Sequence, residues 1–263
     1  MTPTEIKQKI QRAMESFWWC PSSCTIINQP EISYLIDPTG DFNQVSRIDD
    51  QHPNLESLIA KFSKAYEGAH SCVITFPEQD PRLFSLLEQH GYQASHLHDI
   101  RYCLTAHHRL YTNHQFTTKI VRTKEDLIRL LKTSSLIFDT PYIEQPEENL
   151  RHMLQEYNLE KPRAIRVIAL AREIDHEGFA IGSGSMSLFD ELGVATLFGG
   201  GTIPTYRHRG VYSALLDARI AYAKARGIPI IGIYARHGTS APIVANKGFL
   251  KCGEMLTWQR SSD

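Results

Sequence analysis

No stretch of this chain approaches the roughly 20 consecutive apolar residues that a membrane-spanning helix needs. The first sixteen residues are polar and charged, without the apolar core of a secretory leader. Neither membrane insertion nor secretion is expected, and the cytoplasm is the expected compartment. An excess of one charge is also missing: 28 Lys and Arg face 29 Asp and Glu. Nucleic-acid binders usually carry a basic excess, so no nucleic-acid partner is expected. The five cysteines, Cys20, Cys24, Cys72, Cys103 and Cys252, are odd in number and sparse, which argues against a disulfide framework. Cys20 and Cys24 have no second pair with which to complete a zinc site, so free thiols are expected. No glycine is followed after four residues by Gly-Lys-Ser/Thr, and no three spaced glycines open a helix, so neither a P-loop nor a dinucleotide fingerprint is present.

What the chain does have is material for a core. Of its 263 residues, 42% are hydrophobic and 22% charged, enough for one large or two small folded domains. Histidine is frequent, at twelve residues. His96 and His98 would share one face of a strand, as a metal pair needs, and His107 adjoins His108. Surface histidines are the simpler reading, and no metal is expected.

Hydrophobic periodicity outlines the elements. Ile6, Ile10, Ala13, Met14 and Phe17 recur at helical spacing over residues 4–18. Short β-prone runs follow at 25–27, 32–36 and 44–48, with Pro30 splitting the first two and a turn at 37–40. Asn54 precedes a helix with Leu55, Leu58, Ile59 and Phe62 on one side. A strand at 71–76 leads to Asp80-Pro81, an N-cap acceptor followed by proline at the first helical position; Gly91 ends that helix and a strand follows at 99–105. Residues 106–115 hold three histidines and read as a linker.

Beyond it, a strand at 117–122 precedes a helix reaching about Leu131, with Thr123 and Asp126 resembling a capping box. A second helix starts at Pro146-Glu147-Glu148. Strands are expected at 163–173 and 179–189, with turns at 175–178 and 190–193, then at 194–203, weakened by Gly199, Gly200 and Gly201. A long helix opens near Val211, with Val211, Leu215, Ala218, Tyr222 and Ala225 on one face, and Gly227 ends it. A buried strand at 229–235, a short helix at 240–247 stopped by Gly248, and one or two strands over 249–259 close the chain. Segments 72–103 and 231–258 share one order: strand, turn, short helix, glycine plus aromatic, strand.

The chemistry concentrates at residues 202–212, between a strand and the long helix. Free N–H groups and the positive dipole at a helix start attract anions. Gly210 permits a close approach or an unusual dihedral, and Arg207, His208 and Arg209 add donors and positive charge. These residues suit a phosphate cradle, or a basic loop that merely caps a helix.

This stretch resembles the GNAT superfamily of acyl-CoA N-acyltransferases, whose hallmark is Arg/Gln-x-x-Gly-x-Gly/Ala. Arg207, Gly210 and Tyr212 stand at the three hallmark positions, with Pro204 and Tyr206 upstream, and the Gly248-Phe249 ending of a short helix is a second shared feature. Tyr212 departs from the family's usual small residue. The resemblance covers about residues 117–260. It implies an α/β fold with a mixed sheet, a catalytic domain at 116–263, and at 1–110 an accessory or degenerate GNAT-like half without a cofactor motif.

The resemblance further implies that acetyl-CoA, as co-substrate, lies between the strands at 194–203 and 229–235. Pantetheine would meet Gly201, Thr202 and Ile203. The pyrophosphate would meet Arg207, His208, Arg209, Gly210, Val211, Tyr212 and Ser213, and Ser240 is also counted at the cofactor. Many members protonate the leaving thiolate with a tyrosine; the matching position here is Val244, leaving Tyr234 and Ser240 as substitutes. No carboxylate on the strand at 194–203 can act as general base, so His237, Asp190, Glu191, Glu173 and water stay open. Acceptor contacts would come from residues 133–145, where Phe138, Asp139, Tyr142 and Glu144 suit an amine, although Phe138 and Tyr142 could equally be packing residues.

The implied activity is transfer of an acetyl group to an amine of a small molecule or to an exposed amino group of a peptide, by direct attack. The alternatives are a catalytically weak acyl-CoA-binding regulatory protein and an interaction module without cofactor. The oligomeric state stays open.

Overall fold

The computed structural model describes residues 1–16, 23–40, 43–109, 116–171 and 180–261. Cys20, the end of the first expected helix, most of the expected linker, Glu173 and the expected turn at 175–178 lie outside the described residues. In chain order the elements are α1 (Pro3–Met14), β1 (Thr25–Gln29), β2 (Ile32–Ile36), β3 (Asn43–Ile48), α2 (Leu55–Ala65), β4 (Ser71–Thr75), α3 (Pro81–Gln89) and β5 (Gln93–Leu104). There follow β6 (Phe116–Ile120), α4 (Lys124–Phe138), α5 (Glu147–Tyr157), β7 (Ala164–Ala171), β8 (Gly182–Phe189), β9 (Val194–Thr202), α6 (Val211–Ala225), β10 (Ile230–Arg236), α7 (Ser240–Asn246) and β11 (Leu250–Arg260). Two compact units are formed: Met1–Arg101 with Tyr234–Asn246 and Lys251–Asp263, and Tyr102–Ile233 with Lys247–Leu250.

In the first unit the strand order is β1-β2-β3-β4-β11-β5. Proline at N1 and a reciprocal Thr2–Glu5 capping box start α1. The meander β1–β2–β3 is antiparallel, and β3 then pairs in parallel with β4. A parallel pair needs a crossover, and α2 supplies it. Tyr34, Phe62, Tyr66, Tyr92 and Trp258 are buried in one core, with Trp258 donating its indole N–H to the Thr75 hydroxyl at 2.9 Å. The last strand, β11, runs antiparallel to β4 and lies between β4 and β5.

The second unit has the order β10-β9-β8-β7-β6. β6 to β9 pair antiparallel, whereas β9 and β10 pair in parallel, from Ile230↔Val194 to Ile233↔Leu197, with α6 as the crossover. Its core includes Val121, Leu127, Leu130, Leu150, Tyr157 and Ile168.

Three expectations need correction. Helix α4 runs to Phe138 rather than Leu131, because the polar residues after Leu131 find partners: the Thr133 hydroxyl donates to the Ala180 carbonyl at 3.1 Å, and Ser134 meets the Ser183 hydroxyl. Helix α6 buries Ala214, Leu216, Ile220 and Ala223 besides Val211 and Leu215, while Ala225 is exposed, so its contact surface is wider than one helical row. His108 is half-buried rather than a surface residue, its side chain 5% exposed and paired through Nε2 with Asp217 of α6 at 2.8 Å. None of the four described cysteines forms a disulfide; burial pushes Cys72 and Cys252 up to about 11 and Cys103 to about 12. The repeated motif is present at both places: β4–α3 and β10–α7 are each followed by a left-handed glycine, Gly91 or Gly248, and a buried aromatic, Tyr92 or Phe249.

Candidate functional site

The site is built at the C-terminal end of β9. Opposite β8, the register advances two residues from Ser183 to Ser185 while β9 advances three, from Gly201 to Phe198. β9 therefore carries a bulge, and Gly199, with φ +54°, supplies its left-handed residue. The three glycines thus do more than weaken a strand. A Cβ on Gly201 would stand 2.3 Å from Cγ2 of Ile137 on α4, and one on Gly200 would stand 3.1 Å from the Tyr212 ring. At Gly200 and Gly201, β9 is clamped between α6 on one face and α4 on the other, with no room for a side chain at Gly201 and little at Gly200.

Past the bulge, the buried Thr202 hydroxyl has no hydrogen-bond partner among the described residues. Such an orphaned donor is costly unless a ligand meets it. A single 3-10 turn, Pro204–Tyr206, then reverses the chain: the N–H of Tyr206 donates to Ile203 O at 3.0 Å and that of Arg207 to Pro204 O at 3.2 Å. Arg207 Nε donates to Thr202 O at 3.3 Å, and the Arg209 guanidinium lies 5.2 Å over the Tyr206 ring. Arg207, His208 and Arg209 are all exposed.

Among the described residues, the non-glycine positions with left-handed backbone are Asp139 and His208. Each conformation costs on the order of 1 kcal/mol. Gly210, at φ +86°, is the N-cap of α6, and no side chain caps that helix start. The first helical bond runs from Ala214 N–H to Gly210 O, so the N–H groups of Val211, Tyr212 and Ser213 precede it. An uncapped helix start, an orphaned hydroxyl and three exposed basic side chains fit an anion joined to a polar, extended arm.

The expected acceptor residues also fall in this unit. Phe138 ends α4 and is 51% exposed; Asp139 is its left-handed C-cap; Tyr142 and Glu144 are exposed beyond it, with Lys132 Nζ 5.7 Å from the Tyr142 ring centroid. Asp190 is held by Arg226, whose Nε donates at 3.0 Å, while Glu191 is exposed.

The remaining catalytic candidates belong to the first unit. Tyr234 donates its hydroxyl to Ile10 O at 3.2 Å, and burial raises its phenol well above the usual range. The Ser240 hydroxyl accepts the N–H of Arg236 at 2.9 Å. Val244 is fully buried and has no donor to offer. His237 Nε2 stands 2.6 Å from Asp99 Oδ1.

The sequence reading did not anticipate Asp99 as the centre of a charged cluster, because its partners come from distant strands. Burial pushes this carboxyl up, but hydrogen bonds from Lys251, His237 and Arg101 outweigh that and bring it down to about 2. By distance Asp99, His237 and Glu254 could hold a metal ion. Lys251 Nζ, 2.9 Å from Asp99 Oδ1 and paired with Glu254, already puts a cation there. His96 and His98 do share a face, with ring centroids 6.3 Å apart, but His96 is partnered by the Arg236 guanidinium.

Residues 130–253 match the model of the acetyltransferase (GNAT) family. Among solved structures, the chain is similar to a GCN5-related N-acetyltransferase from Kribbella flavida, at 13% identity and a TM-score of 0.65, over 97% of this chain and 95% of that one. It is also similar to a tandem GNAT protein from the clavulanic acid biosynthesis pathway, at 12% identity and a TM-score of 0.63, over 96% and 88% of the two chains. A functionally unknown conserved protein from Staphylococcus epidermidis ATCC 12228 aligns at 13% identity and a TM-score of 0.62, over 95% and 100%. A search of curated proteins by sequence finds no match.

Proposed function

We propose, on the premise that residues 130–253 are a domain of the acetyltransferase (GNAT) family and that the chain has the GNAT fold, that this protein transfers an acetyl group from acetyl-CoA to an amine. Acyl transfer is the family's general chemistry; the donor and the acceptor class are our reading. The observation that carries it is the start of α6, where left-handed Gly210 leaves three N–H groups uncapped behind three exposed basic side chains. Arg207, His208, Arg209 and the N–H groups of Gly210, Val211, Tyr212 and Ser213 would hold the diphosphate. Gly201, Thr202 and Ile203 would hold the pantetheine arm, with the Thr202 hydroxyl gaining the partner it lacks.

In this reading residues 116–263 carry the reaction and residues 1–110 bind no cofactor of their own. The amine nitrogen attacks the thioester carbonyl carbon, the C–N bond forms, the C–S bond breaks, and the thiolate leaves with the electron pair. The chain supplies orientation and a polar strand end. The attacking nitrogen's proton passes to water, since Tyr234 and Ser240 are engaged in backbone hydrogen bonds. The exposed Phe138, Asp139 and Tyr142 suit a small-molecule or peptide amine with an apolar part.

Buried Val244, where many relatives carry a tyrosine acid, favours a second reading, an acyl-CoA-binding regulatory protein. Calorimetry with acetyl-CoA tests the site: no binding sinks both readings. Release of free thiol from acetyl-CoA across a panel of amines separates them, and a rate no higher than the uncatalysed one overturns the enzyme reading.

A further inference from the structure

Helix α6 buries two charged side chains, and they are treated differently. Asp217 faces His108. Arg219 is 1% exposed and has no carboxylate partner among the described residues. Its Nε donates to Leu215 O at 2.9 Å and its Nη1 to Ser185 O at 3.0 Å, while Nη2 has no hydrogen-bond partner among the described residues. Burial pushes the guanidinium's pKa down from its ordinary value, and the neighbouring Tyr212 hydroxyl offsets this in part. An isolated buried cation is expensive, and packing alone would be served better by an apolar side chain of similar volume.

Its position suggests what the cost is for. A Cβ on Gly184 of β8 would stand 2.8 Å from Cζ of Arg219, and one on Gly200 of β9 would stand 3.4 Å from Nη2. The two strands therefore lie directly on the guanidinium, through glycines. Above it, Gly200 is half-buried and Gly199 exposed, so the cation lies one backbone layer beneath the accessible bulge of β9.

We infer that Arg219 is an electrostatic positioning residue for acyl transfer, its buried charge placed beneath the β9 bulge to favour the negative charge that develops on the thioester oxygen and the departing sulfur. The inference rests on the acyltransferase reading above. Arg219 gives up no proton and touches no reacting atom; it acts through the bulge backbone, and its bond to Ser185 O ties it to β8, the strand paired with the bulge. A fixed charge in a medium of low dielectric stabilises developing charge without reorganisation.

Two substitutions test this, Arg219→Met and Arg219→Lys. Met fills similar volume without charge: kcat is expected to fall on the order of 10- to 100-fold, with KM for acetyl-CoA changed by less than about threefold and thermal stability equal or higher. Lys keeps the charge and is expected to stay within about fivefold of the parent kcat. Independently of turnover, the infrared carbonyl band of bound acetyl-CoA labelled with carbon-13 at the acetyl carbonyl is expected at lower frequency in the parent protein and Arg219→Lys than in Arg219→Met. Unchanged kcat and an unchanged band in a folded Arg219→Met variant overturn the inference. So does an Arg219→Met variant that fails to fold, because the cation would then serve stability. Failure of the parent protein to bind acetyl-CoA overturns the acyltransferase reading itself, which distinguishes the two failures.

Discussion

Among the described residues, β3–α2–β4 and β9–α6–β10 are crossovers between parallel strands, and their loops have opposite chemistry. In each, the entering strand is irregular against the strand before it, at Ser46 in β3 and around Gly199 in β9. Ser46 is buried, its hydroxyl 3.5 Å from Ser33 O, whereas Gly199 is exposed and has no side chain. After β3 come Asp49 and Asp50. Their carboxylates accept the N–H of Gln51 at 3.1 Å and of Asp80 at 2.5 Å. After β9 come Arg207, His208 and Arg209. The first loop supplies its own anions to nearby N–H groups; the second surrounds an uncapped helix start with cations. A bulged strand leading into a crossover helix is thus a permissive frame, and the loop's charge decides whether an external anion is welcome.

The comparison can be broken most forcefully by making the second loop resemble the first. Gly210→Asp puts a carboxylate among the N–H groups of α6 and a side chain on a backbone at φ +86°. Acetyl-CoA affinity is expected to fall at least about 100-fold, or ~2.7 kcal/mol, by calorimetry; an unchanged Kd would refute the site.

Next in size is Gly201→Ala. The added methyl meets Ile137 at 2.3 Å, and urea unfolding should show a loss of about 1–3 kcal/mol. Adding Ile137→Ala should recover part of it, as coupled neighbours do. If the two losses simply add, the clamp on β9 is not what excludes side chains.

Asp99 sharpens the comparison from the other unit, where buried charge is paired. Its folded pKa lies below the ordinary 3.8, at about 2. The stability it adds is therefore complete above about pH 5 and drains away as pH falls toward 2. Relative to Asp99→Asn, the parent protein should lose about 2 kcal/mol of unfolding free energy across that window. Parallel stability-versus-pH curves would show the cluster to be inert.

The smallest effects concern single exposed charges. Arg209→Ala should weaken acetyl-CoA binding about fivefold, and less at high salt, while Asp50→Asn in the first loop should leave it unchanged. Equal responses from both loops would erase the distinction between them.

Local order along the chain settled much of this protein. Alternation in strands, helical spacing of apolar residues, Asp80-Pro81 and the left-handed glycines Gly91, Gly210 and Gly248 depend on neighbours within a few residues, so the elements and the α6 start could be read directly. The Arg207, Gly210 and Tyr212 pattern pointed to the GNAT family for the same reason. Tertiary structure alone decided why β9 needs three glycines: Gly199 takes the left-handed bulge position, and Ile137, Tyr212 and Arg219 press on Gly200 and Gly201 from two helices. It also decided that α4 continues through a polar stretch, that Asp99 gathers His237, Lys251 and Arg101, and that a guanidinium lies buried without a carboxylate. Those outcomes depend on residues far apart in the chain and close in space, and sequence periodicity carries no record of such meetings.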